Sequence, residues 1–262
     1  ISSNIKSTLD KRLIVMFEQL RRKNSRRHYP DGRTLRFEKF EDRHLLSAVP
    51  IFHSAPEHTK KIFLDFDGQV VTDSIWTQYN NFANIHAPAY DVDGNASQFG
   101  AAELANIAEA WKRIAEDFAP FQVDVTTEEP PLSVLEAGGQ GIRVIISSRT
   151  DTATGNQWWT QSLGGVADPF YNAWNYAGDR PIWVFANDFH LRTPPFEQYF
   201  IGTIASHELG HSMGLHHDGN FNPSEEYYIG HGSGDTSWGP IMGGAEYRTL
   251  TQWSKGEYNG AN

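Results

Sequence analysis

The chain has 262 residues, with 39% hydrophobic and 21% charged side chains and 8 Trp, 10 Tyr and 16 Phe, which suits one globular domain with a substantial core and excludes a wholly disordered polypeptide. The absence of cysteine excludes disulfides, thiolate metal sites and cysteine nucleophiles. The net charge of −10 is uneven: residues 1–43 carry 12 Lys+Arg against 6 Asp+Glu, whereas the rest carries 10 against 26, so an acidic body follows a basic leader and nucleic acid is not expected as a partner.

Residues 1–55 read as a leader, either an export or a pro-segment, and 56–262 as the folded body. Leu9, Leu13, Phe17 and Leu20 predict a helix within Ile5 to Leu20. The segment Phe37 to Leu46 resembles an N-terminal element of many bacterial surface and secreted proteins, built on L-E-x-R-x-L-L, with Phe40 in place of its leucine and Asp42 before Arg43. That resemblance implies export to the exterior or surface of a bacterium. The most apolar run, Leu45 to Phe52, contains Pro50 and falls short of the ~18 residues of a spanning helix, so no transmembrane segment is expected.

Beyond Lys60 the pattern predicts a strand at Ile62 to Phe66, turned by Asp67-Gly68. Leu104, Ile107, Trp111, Ile114 and Phe118 predict an amphipathic helix over Phe99 to Phe118, stopped by Pro120. Phe121 to Thr127 alternates and reads as a half-buried strand. Ile142 to Ile146 reads as a central strand. Leu163 to Ala167 and Ile182 to Ala186 predict two more strands, Phe200 to Gly214 a second helix, and Leu215 to Asn262 an irregular lobe. The expected class is α+β, a sheet with two helices packed on it.

The second helix carries His207-Glu208-Leu209-Gly210-His211-Ser212-Met213-Gly214-Leu215-His216-His217. Residues 207 and 211 lie one turn apart on one helical face, so their imidazoles can chelate one ion. Glu208 can reach a water on that ion. Gly214 permits the positive φ that ends the helix, and the reversal can bring His217 back as a third ligand. Three nitrogen ligands leave the fourth position of zinc open to water, as catalytic rather than structural sites do. At this composition the five fixed positions arise by chance on the order of 10⁻⁴ times per chain.

This pattern resembles the metzincin clan of zinc endopeptidases, whose signature is H-E-x-x-H-x-x-G-x-x-H followed by a methionine turn. The resemblance implies a zincin-like twisted mixed sheet, an active-site helix at the cleft and a small C-terminal lobe. It selects His207, His211 and His217 over His216 as ligands of one zinc ion. It makes Glu208 the catalytic base and places Met242 as a packed floor beneath the ligands. It also implies a protein or peptide substrate lying along the sheet edge, for which Gly164, Gly165 and Val166 are the candidates. Asp218 after the third histidine looks like the adamalysin branch. Where astacin-like and serralysin-like members carry a tyrosine two residues after the methionine, this chain has Gly244, and the nearest tyrosine is Tyr247.

Asp91, Asp93 and Asn95 resemble the start of a calcium loop. Glycine at the fourth rather than the sixth place, and Ala102 at the twelfth, read better as a polar turn, with Ca²⁺ as the alternative. Trp158, Trp159 and Trp174 read as core rather than subsite walls. Two rival functions stay open: a zinc-holding surface module without catalysis, against which Glu208 argues, and a zinc hydrolase of a non-peptide substrate.

Overall fold

The computed structural model describes residues 48–72, 74–168, 173–178, 180–189, 196–221, 224–245 and 247–261. The chain divides into two units, Ile1–His44 and Leu45–Asn262, and the described residues all lie in the second. The expected leader helix lies outside them.

Strands β1 (Lys61–Asp65), β4 (Asp124–Thr126), β5 (Gly141–Ile146), β6 (Gly165–Val166) and β7 (Ile182–Val184) form a mixed sheet in the order β4-β1-β5-β7-β6. The first four run parallel, and β6 pairs antiparallel with β7. The hairpin β2 (Gln69–Thr72) and β3 (Asn84–Ala87) encloses a short helix, α1 (Ile75–Asn80). The long helices are α2 (Ala101–Asp117) and α4 (Phe196–Ser212), with the single turn α3 (Leu132–Leu135) between them in sequence. The C-terminal part holds β8 (Asn220–Phe221) paired with β9 (Ser224–Glu225), and β10 (Trp238–Pro240) paired with β11 (Leu250–Gln252).

The sheet separates two cores. Ile62, Leu64, Val144, Ile146, Ile182 and Val184 pack with Ile107, Ala110 and Ile114 of α2 and Ile201, Ala205 and Leu209 of α4. Ile145, Trp183 and Phe185, at alternate positions, pack instead with Val71, Trp76, Ile85 and Trp158. Side chains of a strand alternate between faces, so strands covered on both sides read as unbroken apolar runs. The hairpin and α1 supply the second cover, and the sequence pattern did not predict them.

The strand expected as half-buried over Phe121 to Thr127 is shorter, and all three of its residues are buried. Asp124, which mimics an exposed position in the pattern, is fully buried because its carboxylate is saturated. It accepts from Ser54 and Ala55 N–H (2.9 and 3.0 Å), from Lys61 Nζ (2.8 Å), and lies 2.7 Å from His53 Nδ1. Residues 50–55 thereby pack with the body, and Phe52 stacks on Trp111 with centroids 4.8 Å apart.

A second buried carboxylate, Asp65, faces Arg143 across β1 and β5 at 2.6 Å, and both side chains are 3% exposed. Burial pushes the Asp65 carboxyl up to about 6 despite the guanidinium beside it. Removing one partner strands the other charge. Arg143→Leu should therefore cost about 3–5 kcal/mol in denaturant unfolding. The double change Arg143→Leu with Asp65→Leu should recover much of that loss, and a double variant weaker than the single would contradict this account.

Candidate metal centre

Helix α4 ends in a Schellman turn. Leu215 N–H donates to Gly210 O (3.0 Å), Gly214 N–H to His211 O (2.9 Å), and Gly214 takes φ +90°. The reversal returns the chain along the helix and sets His217 beside His211. Ring centroids lie 4.7 Å apart for His207 and His211, 4.7 Å for His211 and His217, and 5.3 Å for His207 and His217. One ring nitrogen of each lies within 4.8 Å of the others, and His211 Nε2 to His217 Nε2 is 3.0 Å.

Each imidazole is held by its other nitrogen. His207 Nδ1 is 2.8 Å from Ile241 O, His211 Nδ1 is 2.8 Å from Leu215 O, and His217 Nδ1 is 2.9 Å from Glu226 Oε1. All three partners are acceptors, so Nδ1 carries the proton and Nε2 presents its lone pair inward. Burial lowers the His207 pKa to about 3 and lowers that of His211. Both are neutral near pH 7, as metal ligation requires. The three histidines are thus positioned to hold one metal ion.

Glu208, at the next helical position, lines the same cleft as the three histidines and is 8% exposed. Burial pushes its carboxyl up to about 8, while the N–H of Ala167 donates to it and pulls the other way. A divalent cation beside it would favour the ionised form. Beneath the helix, Met242 is 3% exposed and its sulfur sits where a β-carbon at Gly210 would be. The neighbouring Ile241 carbonyl is the one that holds His207, and Met242 O accepts from Asp218 N–H at 2.8 Å.

The histidines open into a cleft of about 630 Å³, walled by Gly164, Gly165, Val166, Phe200, Ile204 and Ile229 among others. Among the described residues, strand β6 is the last of its sheet. Phe185 N–H bonds to Gly164 O (2.8 Å), so by antiparallel alternation the backbone groups of Gly165 and Ala167 turn away from β7. A β-carbon at Gly165 would come within 2.7 Å of Ile204 and 2.8 Å of Glu208, so only glycine lets β6 lie this close to α4. His216 lines the cleft without joining the ligand cluster. Tyr247 is 57% exposed and is not among the cleft's lining residues.

Two site residues escaped the sequence reading. Glu226 orients His217, and the Tyr227 ring packs on His217 with centroids 4.1 Å apart. Both follow the helix by more than a dozen positions in a stretch without periodicity, and no local signal marks them. Trp158 and Trp174 are core residues, as expected. The loop at Asp91 brings the carboxylates of Asp93 and Glu103 together with its own. Asp91 Oδ1 accepts from the backbone of Asp93, Gly94 and Asn95, and Glu103 accepts from Val92 and Gly100.

Comparison of the chain with protein families, with curated proteins and with solved structures finds no match.

Two outcomes follow from this geometry. The protein should bind one divalent ion per chain in equilibrium dialysis, and each of His207→Ala, His211→Ala and His217→Ala should abolish tight binding. Glu226→Gln should keep the site but weaken it by about 10–100-fold; unchanged affinity would remove Glu226 from the supporting set. The second concerns pH. Glu208 has its folded pKa raised above the unfolded value of 4.5, so the metal-free native state holds that proton and loses stability as pH rises from about 4.5 through 8. After chelation, Glu208→Gln should melt above the wild type at pH 9, and the two should converge toward pH 5. Parallel melting curves across that range would refute the buried carboxyl.

Proposed function

We propose that the chain is a zinc-dependent endopeptidase. The observation that carries this reading is the convergence of three imidazoles beside a buried carboxyl group, at the foot of a sheet edge. The donor set fits zinc: three nitrogen ligands without thiolate, each fixed in tautomer by a carbonyl or carboxylate. The H-E-x-x-H-x-x-G-x-x-H pattern and the packed Met242 support a metzincin-like assignment. The resemblance at Phe37 to Leu46 supports export.

Bound zinc would supply Lewis acidity to the scissile carbonyl and bring the pKa of its water toward ~7. His207, His211 and His217 would hold the ion through the ring nitrogens they bring together. Glu208 takes the proton of the attacking water and returns it to the departing amine nitrogen. The Ala167 N–H fixes the orientation of that carboxylate. The outward backbone groups of Gly165 are free to pair with an extended polypeptide, which would lay its backbone across Glu208. A strand-like substrate favours peptides over small esters or amides.

Zinc-loaded protein should digest casein, and a chelator should stop it. Glu208→Gln should retain one zinc and lose about 10²–10⁴-fold in rate. Wild type that holds zinc but cleaves no protein or peptide would displace this reading in favour of a zinc-holding binding module or a hydrolase of another substrate.

A further inference from the structure

The sheet edge at β6 has a second flank. Beside the metal cleft lies a separate pocket of about 540 Å³, walled chiefly by Ile75, Trp76 and Tyr79 of α1 with Trp159, Leu163 and Val166. Leu163, Val166 and Ala167 line both cavities, so the edge segment is their common wall. The two lie on opposite faces of β6. A β-carbon at Gly165 would point to Ile204 and Glu208, whereas Val166 packs with Trp76, Trp158 and Trp183.

The inner wall is rigid. Trp76 is 3% exposed and its Nε1–H donates to Pro181 O at 2.8 Å. Trp159 meets Trp76 edge-on at 5.8 Å. Ser74 accepts from the N–H groups of Trp76 and Thr77 and so anchors the start of α1. The rim is different, because Tyr79 is 65% exposed. Among the described residues that line the pocket, the charged one is Asp168, whose Oδ2 lies 3.8 Å from Arg180 Nη1. Burying a charged side chain in such a cavity costs desolvation, whereas a large uncharged apolar one gains from it.

A polypeptide added to the β6 edge continues the sheet, and its successive side chains alternate between the two faces. Residues facing the metal cleft therefore alternate with residues facing the aromatic pocket. We infer that the pocket formed by Ile75, Trp76, Tyr79 and Trp159 is a substrate subsite that takes a bulky apolar side chain, aromatic or leucine-like, of an extended polypeptide. This rests on the peptidase reading, because it needs a strand laid along β6. It makes apolar segments of unfolded or loosely folded proteins the substrate class.

The test separates binding from turnover. Zinc-loaded Glu208→Gln full-length chain is titrated calorimetrically with short Ala/Ser/Gln peptides carrying one Phe, Leu, Glu or Ala at successive positions. Phe and Leu peptides should bind about 10-fold or more tighter than the Ala peptide at one set of alternate positions, with Glu the weakest. Tyr79→Ser and Ile75→Asn, each in that background, should erase most of the difference while zinc content and melting temperature hold. Equal affinities for Phe and Ala peptides, or a preference surviving both substitutions, would overturn the subsite even if wild type digests casein. If the preference appears but wild type cleaves nothing, the subsite stands and the hydrolytic reading falls. If no peptide binds and nothing is cleaved, both fall.

Discussion

The close approach of Met242 to the backbone of α4 at Gly210 is the contact on which the centre depends. The methionine sulfur occupies the space a side chain at 210 would need, so the turn Ile241-Met242 can press directly against the helix. From that position its two carbonyls divide the work. Ile241 O fixes the ring of His207 on the helix, and Met242 O takes the N–H of Asp218, immediately after His217 on the returning strand of chain. One turn thus references a ligand from each side of the Schellman reversal to the same rigid point. A metal centre needs its donors placed to within a few tenths of an ångström, and packed backbone gives that placement better than long flexible side chains do.

The same economy of side-chain volume governs the edge strand. Gly165 puts β6 against Ile204 and Glu208, and the Ala167 N–H then reaches the Glu208 carboxylate. Helix and edge strand meet without an intervening layer, so a backbone paired with β6 would face the histidine cluster and Glu208 together. The opposite face of the sheet must be covered independently, since Ile145, Trp183 and Phe185 project there. The β2–β3 hairpin and α1 do this, and in doing so they build the aromatic wall beside the edge.

What could be read from the sequence is explained by range. Helix α2 was legible because its periodicity runs long enough to outweigh local ambiguity, and β1 and β5 because each is a nearly unbroken apolar run, the pattern of a strand covered on both faces. His207, His211 and Gly214 were legible because helical geometry alone relates them. His217 and Met242 needed the resemblance as well. Glu226 and Tyr227 were hidden, since their place beside His217 is set by how the loop after α4 folds back. The hairpin and α1 were hidden for a related reason: at 4, 4 and 6 residues they owe their form to Trp158 and Trp183, more than sixty residues distant in sequence. Asp124 misled the reading of β4 because a polar residue at a strand position signals solvent unless its partners are known, and those partners lie in residues 53–61.

The electrostatics of the site point to what it lacks without metal. His207 and His211 are kept neutral by burial, and Glu208 is pushed toward its protonated form. A buried centre of this kind carries little charge of its own although the surrounding body is strongly acidic. A divalent cation reverses that balance: it satisfies three lone pairs aimed at one point and gives Glu208 a reason to ionise. On the proposed reading, the proton that Glu208 would accept during peptide hydrolysis becomes acceptable only with an ion in place. On this view metal binding does more than supply a Lewis acid, because it also converts a buried, protonated carboxyl into the base the reaction requires.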